Sequence, residues 1–123
     1  GKCFPADMIT DQPERFIISE LIREKALNYL EEEVPHGVFV GIDMIRQRED
    51  KDLLDINATI YCEKDSHKGI IIGKNGRKLK GIGKSARIDI EKLLGSQVNL
   101  QLWVKVEKNW RDKENKIKYF GYE

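Results

Sequence analysis

Two glycines, three positions apart, carry the clearest chemical suggestion in this chain. In Ile70-Ile71-Ile72-Gly73-Lys74-Asn75-Gly76-Arg77 an apolar run stops at a glycine, two polar residues follow, and a second glycine opens a basic amphipathic run. Glycine reaches backbone angles closed to other residues and lets another chain approach closely. A helix that opens just after such a turn presents unpaired N–H groups and a partial positive charge. Lys74, Arg77, Lys78 and Lys80 lie on it or just beyond it, and Lys68 and Lys84 add attraction from farther away. These residue types at this spacing suit the holding of a phosphate chain. The expected ligand is a nucleic-acid backbone.

The charge map supports that expectation. The net charge of the 123 residues is only +1. Residues 1–63 hold 7 basic and 14 acidic residues, net −7, whereas residues 64–92 hold 9 basic and 3 acidic, net +6. The basic excess is centred on the glycine loop, and a local basic patch is the electrostatic footprint of a polyanion partner. Beyond the loop, Arg77, Lys80, Lys84 and Arg87 follow a three-and-four spacing along one helix face. A solvated face is the plain reading of such a stripe. Its continuity with the loop argues for binding.

Other chemistries fail on spacing. Gly83-Lys84-Ser85 resembles the end of a nucleotide-binding P-loop, but that motif needs a glycine five positions before its last one, where Lys78 stands. Cys3 and Cys62 lack a C-x-x-C context and read as unpaired thiols, and His36 and His67 have no ligand-spaced partner, so no metal site is expected. No nucleophile–base or paired-carboxylate arrangement stands out. No apolar run reaches the roughly 20 residues that cross a bilayer. A first residue of Gly rather than Met predicts a piece of a longer protein.

The elements that position the loop follow from hydrophobic periodicity. Residues 1–12 read as a linker punctuated by Pro5. Residues 13–33 form a helix opened by a capping-box-like Asp11 and Glu14, with Ile18, Leu21, Ile22, Ala26, Tyr29 and Leu30 on its apolar face. Residues 38–48 and 53–63 alternate as two strands of a hairpin. Val38, Val40, Ile42 and Met44 share one face of the first, and Leu54, Ile56, Ala58, Ile60 and Cys62 one face of the second. A short helix over 66–72 has Ser66 as its cap. A longer one over 76–95 turns Leu79, Ile82, Ala86, Ile90 and Leu93 inward and ends at Gly95. Residues 97–107 are a third strand, and Asn109 caps a short last helix. The basic and aromatic tail, Lys116 to Glu123, suits either stacking on bases or docking on the core. Ile71 and Ile72 are likewise open between core and ligand.

The order helix, strand, strand, helix, Gly-x-x-Gly, helix, strand resembles a type II KH domain. Ile71-Ile72-Gly73-Lys74-Asn75-Gly76 is similar to its characteristic run, with Leu79 and Ile82 in the apolar positions that follow. Thr10-Asp11-Gln12-Pro13-Glu14-Arg15-Phe16, Ile22-Arg23-Glu24-Lys25, Ala86-Arg87-Ile88-Asp89-Ile90-Glu91, Leu102-Trp103-Val104-Lys105-Val106 and Asn109-Trp110-Arg111 resemble the C-terminal part of the Era family of bacterial GTPases. Asn75 stands where glycine is common in that family.

The resemblance implies an α+β fold, a three-stranded mixed sheet packed on one face by helices, with a short C-terminal helix. It implies a linker over 1–12, a type II KH domain over 13–108, and a C-terminal helix and tail over 109–123. It further implies single-stranded RNA binding near the 3′ end of 16S ribosomal RNA in small-subunit assembly, since a KH loop clamps about four nucleotides. The implied RNA-binding residues are Lys68, Ile71, Ile72, Gly73, Lys74, Asn75, Gly76, Arg77, Lys78, Leu79, Lys80 and Lys84. GTP, Mg2+ and turnover belong to a GTPase domain of the parent chain, which is a further partner, and no cofactor is expected in these residues. A cytoplasmic monomer is implied, with peripheral association at the inner face of the cell membrane. The competing expectation is a protein-interaction module that docks a partner domain without touching RNA.

Overall fold

The computed structural model describes residues 12–30 and 38–108. Helix α1 (Gln12–Leu30) precedes strands β1 (Phe39–Gln47) and β2 (Leu53–Cys62). Helix α2 (Asp65–Ile72), one 3-10 turn (Lys74–Gly76), helix α3 (Arg77–Leu94) and strand β3 (Gln97–Val106) complete the order. The sheet runs β1-β2-β3, with β1 antiparallel and β3 parallel to β2, so it is mixed, and among the described residues β3 is an edge strand. Residues 1–11 of the expected linker, residues 31–33 of the expected first helix, the cap at Asp11, Cys3, His36 and the C-terminal helix and tail lie outside the described residues, and Gln12, expected in the linker, already belongs to α1.

Two rows of apolar side chains build the core. On α1, Ile18, Ile22, Ala26 and Leu30 recur every fourth residue and are fully buried. On α3, Ile82, Ala86, Ile90 and Leu94 recur at the same interval and are buried. A four-residue interval drifts slowly around a helix of 3.6 residues per turn, so each row forms one continuous stripe. Both stripes close on Leu54, Ile56, Ala58 and Ile60 of β2 and Val98 of β3. Each fully buried Ile or Leu contributes about 1.5–3 kcal/mol. The helices run antiparallel, with Lys25 Nζ 2.8 Å from the Asp89 carboxylate and the Tyr29 hydroxyl 3.3 Å from Ser85 Oγ.

Several expectations change. Leu94, not Leu93, completes the inner row of α3, and Leu93 is exposed because it falls a hundred degrees short of that row. Tyr29 is also exposed and covers α3 from outside. Ser66 is not the cap of α2: the helix starts one residue earlier, at Asp65, with extended Lys64 in the cap position and no side-chain cap bond. On β1 the strict alternation fails. Ile42 pairs with Ala58 and Met44 with Asn57, so Asp43 is an extra residue. A bulge of this kind shifts every later side chain to the opposite face. Hence Ile45, not Met44, enters the core. Arg15 Nη1 donates to the Ile42 carbonyl at 3.2 Å and Thr59 Oγ1 donates to Asp43 Oδ2 at 2.7 Å, which holds the bulge from both faces.

Candidate nucleic-acid interface

The loop has a backbone that its sequence demands. Gly73 ends α2 at φ 74°, ψ 176°, a combination open essentially to glycine alone. Asn75 at φ 56° and Gly76 at φ 74° follow in the left-handed region, where Asn is the best tolerated residue after glycine. The amide of Gly73 donates to the Gly69 carbonyl at 2.9 Å and that of Gly76 to the Gly73 carbonyl at 3.1 Å. Arg77 N–H donates to the Lys74 carbonyl. The amides of Lys74 and Asn75 enter none of these bonds, and both side chains are exposed. Two free N–H groups beside Lys74 and Arg77, at the start of α3, form an anion-binding arrangement.

This loop closes one end of a groove of about 380 Å3 lined by Gly76, Leu79, Lys80, Gly83, Lys84, Arg87, Leu100 and Leu102. One wall is α3 and the other is β3. Leu79, Leu100 and Leu102 are half-buried and give the groove an apolar floor. Lys80 and Lys84 are exposed on its rim, and neither has an acidic partner among the described residues. Arg87 does: Nη1 lies 3.1 Å from Glu91 Oε1. Glu91 Oε2 in turn accepts the Val98 amide at 2.9 Å, tying α3 to β3 at the groove's far end.

Those bonds also fix how the β3 backbone faces. Val98 N–H points away from β2, toward Glu91, while Glu107 N–H donates to the Cys62 carbonyl of β2 at 2.7 Å. Successive residues of a strand turn their N–H and C=O groups to alternate sides. The even-numbered residues Leu100, Leu102 and Val104 therefore offer both groups at the free edge, directly beside the groove. An N–H and a C=O from one residue can meet a base edge that carries an acceptor next to an amino donor, as adenine and cytosine do.

The structure sorts the residues singled out from sequence. Gly76, Leu79, Lys80 and Lys84 line the groove, and Gly73, Lys74, Asn75 and Arg77 make the loop at its end. Lys68 and Lys78 are half-buried and outside the lining. Ile71 is a correction: its side chain is fully buried in the core and cannot floor the groove. Ile72 stays half-exposed beside the loop but is not part of the lining. Gly83, Leu100 and Leu102 were missed as site residues. Gly83 lies seven residues after Gly76, two turns along the same helix face, which is a readable signal. Nothing local marks Leu100 and Leu102, because their place depends on β3 lying beside α3.

Elsewhere, Arg48 grips Asp55 with two bonds, Nε to Oδ2 at 2.8 Å and Nη2 to Oδ1 at 3.0 Å, and Asn99 Nδ2 donates to Oδ1 at 2.9 Å. These donors lower the Asp55 carboxyl from 3.8 to about 2. Burial raises the Cys62 thiol. No group of three His, Cys, Asp or Glu side chains comes together, and no helix is long and apolar enough to cross a membrane, among the described residues.

The sequence profile of the KH domain matches residues 33–111. The GTPase Era of Clostridioides difficile is 69% identical over 121 residues, which cover 98% of this chain and 41% of the relative. That of Alkaliphilus oremlandii is 67% identical over 122 residues, 99% of this chain and 41% of the relative. The chain thus spans about two fifths of the length of these relatives. Among solved structures, Era in complex with MgGDPNP and nucleotides 1506–1542 of 16S ribosomal RNA superposes with a TM-score of 0.77 at 41% identity, covering 88% of this chain and 36% of that one. A variant of Aquifex aeolicus Era bound to GDP and tetrafluoroaluminate gives a TM-score of 0.79 at 44% identity, covering 98% and 40%.

Proposed function

The chain belongs to the KH domain family, and from that premise we propose that it is the RNA-binding domain of an Era-like GTPase, taking single-stranded RNA near the 3′ end of 16S ribosomal RNA during small-subunit assembly. The carrying observation is the Gly73–Gly76 turn set at the mouth of the α3/β3 groove, where the Lys74 and Asn75 amides and the Lys80 and Lys84 ammonium groups have no partner among the described residues and stand beside an apolar floor. The Lys74 and Asn75 amides and the Lys74 and Arg77 side chains hold phosphates. Bases lie on Leu79, Leu100 and Leu102, and the free N–H and C=O groups of β3 read their edges. Lys80 and Lys84 strengthen attraction along the rim, and Lys68, Ile72 and Lys78 act around the loop. Such a groove spans about four nucleotides, fewer than the RNA in the complex of the similar Era.

GTP and Mg2+ belong to the rest of the parent protein, whose GTPase domain is the partner in the same chain. The working boundaries are a linker over 1–12, the KH domain over 13–108 and a C-terminal helix and tail over 109–123. The parent is a cytoplasmic monomer, with peripheral contact at the inner face of the cell membrane.

The test replaces Lys74 and Asn75 by aspartate. Two carboxylates beside the amides repel phosphate, and affinity for an oligonucleotide of the 16S 3′ end drops roughly tenfold or more. Unchanged affinity with the fold intact would overturn the reading. GTP hydrolysis by these 123 residues stays at background.

A further inference from the structure

We propose that the outer face of β3 extends the RNA track, with Trp103 as a stacking platform for a base that has left the groove. The proposal rests on the groove reading above. Trp103 is 49% exposed, the most open of the large apolar side chains described. It follows Leu102, so alternation turns it to the sheet face opposite the groove floor. Its flanking residues on that face, Gln101 and Lys105, are also exposed. The row is therefore amide, indole and ammonium, at intervals of about 6.6 Å.

This row sits on the same edge strand that walls the groove. Among the described residues no further strand pairs with β3. A chain lying along Leu100 and Leu102 can cross that edge without displacing any described element, and the exposed side chains it meets on the other face of β3 are Gln101, Trp103 and Lys105. The cross-strand neighbour of Trp103 is the small Thr59, whose hydroxyl donates to Asp43. The other aromatics of this face behave differently. Phe39 and Tyr61 stack on each other with centroids 5.8 Å apart and are only 5% and 7% exposed. Trp103 alone among them offers an open ring. An exposed aromatic beside a cation fits single-stranded nucleic acid, because every base has a face to stack and every linkage a phosphate to neutralise. Lys105 supplies that charge. Asp43, across the sheet, accepts from Thr59, and Glu107 follows Lys105 by two residues, so the positive charge of the row is confined to Lys105 beside the indole.

Two oligoribonucleotides test this on the 123-residue chain: a tetramer of adenine and cytosine, and the same tetramer with six uridines at the 5′ or the 3′ end. Uridines lack the amino donor and do not compete for the groove edge. The expected result is that Trp103→Ala leaves the tetramer unchanged, weakens one extended oligonucleotide roughly 5- to 150-fold, and that Trp103→Phe recovers most of the loss. In a Trp110→Phe background, the fluorescence of Trp103 is quenched by that extended oligonucleotide and not by the tetramer. If Trp103→Ala leaves all three affinities unchanged, or lowers them equally, the extension is wrong and the face belongs to another partner or to stability. If the wild-type chain binds none of the three, the groove reading itself fails and takes this proposal with it.

Discussion

Tyr29 of α1 lies so close over Gly81 of α3 that a methyl group at residue 81 would stand 2.5 Å from its Cε2. The contact explains a glycine in the middle of a helix. Alanine there adds about 1 kcal/mol of helix propensity but pushes the ring aside and breaks the bond to Ser85. Gly81→Ala is expected to change stability by less than about 1 kcal/mol, the two effects offsetting. With Tyr29→Ala already present, Gly81→Ala becomes stabilising by about 1 kcal/mol. A double-mutant cycle by urea unfolding reads the coupling, and additive single effects would remove it.

The loop glycines should differ in their tolerance. A Cβ on Gly73 would meet Lys78 Cβ at 2.9 Å and its backbone nitrogen at 3.0 Å, in a backbone region closed to alanine. A Cβ on Gly76 meets nothing within 4 Å and has only its left-handed conformation to overcome. Gly73→Ala is expected to cost about 2–3 kcal/mol and Gly76→Ala about 1 kcal/mol. Thermal melting ranks them, and the reverse order would contradict the loop geometry.

Gly83 separates stability from binding. A Cβ there would sit 3.6 Å from Leu102 Cδ1, an ordinary contact inside the groove. Gly83→Ala is expected to raise stability by up to about 1 kcal/mol, since alanine is the better helix former. The same methyl group takes space from a base, and RNA affinity falls. Stability and affinity moving in the same direction would place the ligand elsewhere.

Salt should act through the rim. Lys80→Ala and Lys84→Ala each remove one groove-lining cation that has no acidic partner among the described residues. Each should lower the slope of log affinity against log salt by about 0.7, the value for single strands. Titrations at three salt concentrations measure this, and an unchanged slope would take that lysine off the phosphate track.

Asp55 makes stability depend on acid. Its folded value of about 2 lies below the ordinary 3.8, because Arg48 and Asn99 hydrogen-bond the ionised form. A depressed folded value adds stability that is complete above the unfolded value and fades as pH falls from about 3.8 toward 2. Asp55→Asn should therefore lower the melting temperature at pH 7, and the gap to the parent should narrow between pH 4 and pH 2. A gap independent of pH would assign the loss to packing.

Sequence alone determined what is local. The glycine pair, the four-residue rows of Ile18 to Leu30, the alternation of β2 and β3, and the basic run after Gly76 are all written in neighbouring residues, because backbone angles and helical period act over a turn or two. Tertiary structure decided the rest. Ile71 and Ile72 look alike in the chain, and only the packing of α2 on its neighbours buries the first. Strict alternation put Met44 inside, and only the pairing with β2 shows that Asp43 bulges and admits Ile45. The groove wall at Leu100 and Leu102 exists because β3 returns parallel to β2 and comes to rest beside α3. Hydrogen-bond register and strand order join residues far apart in the chain, and no local pattern records them.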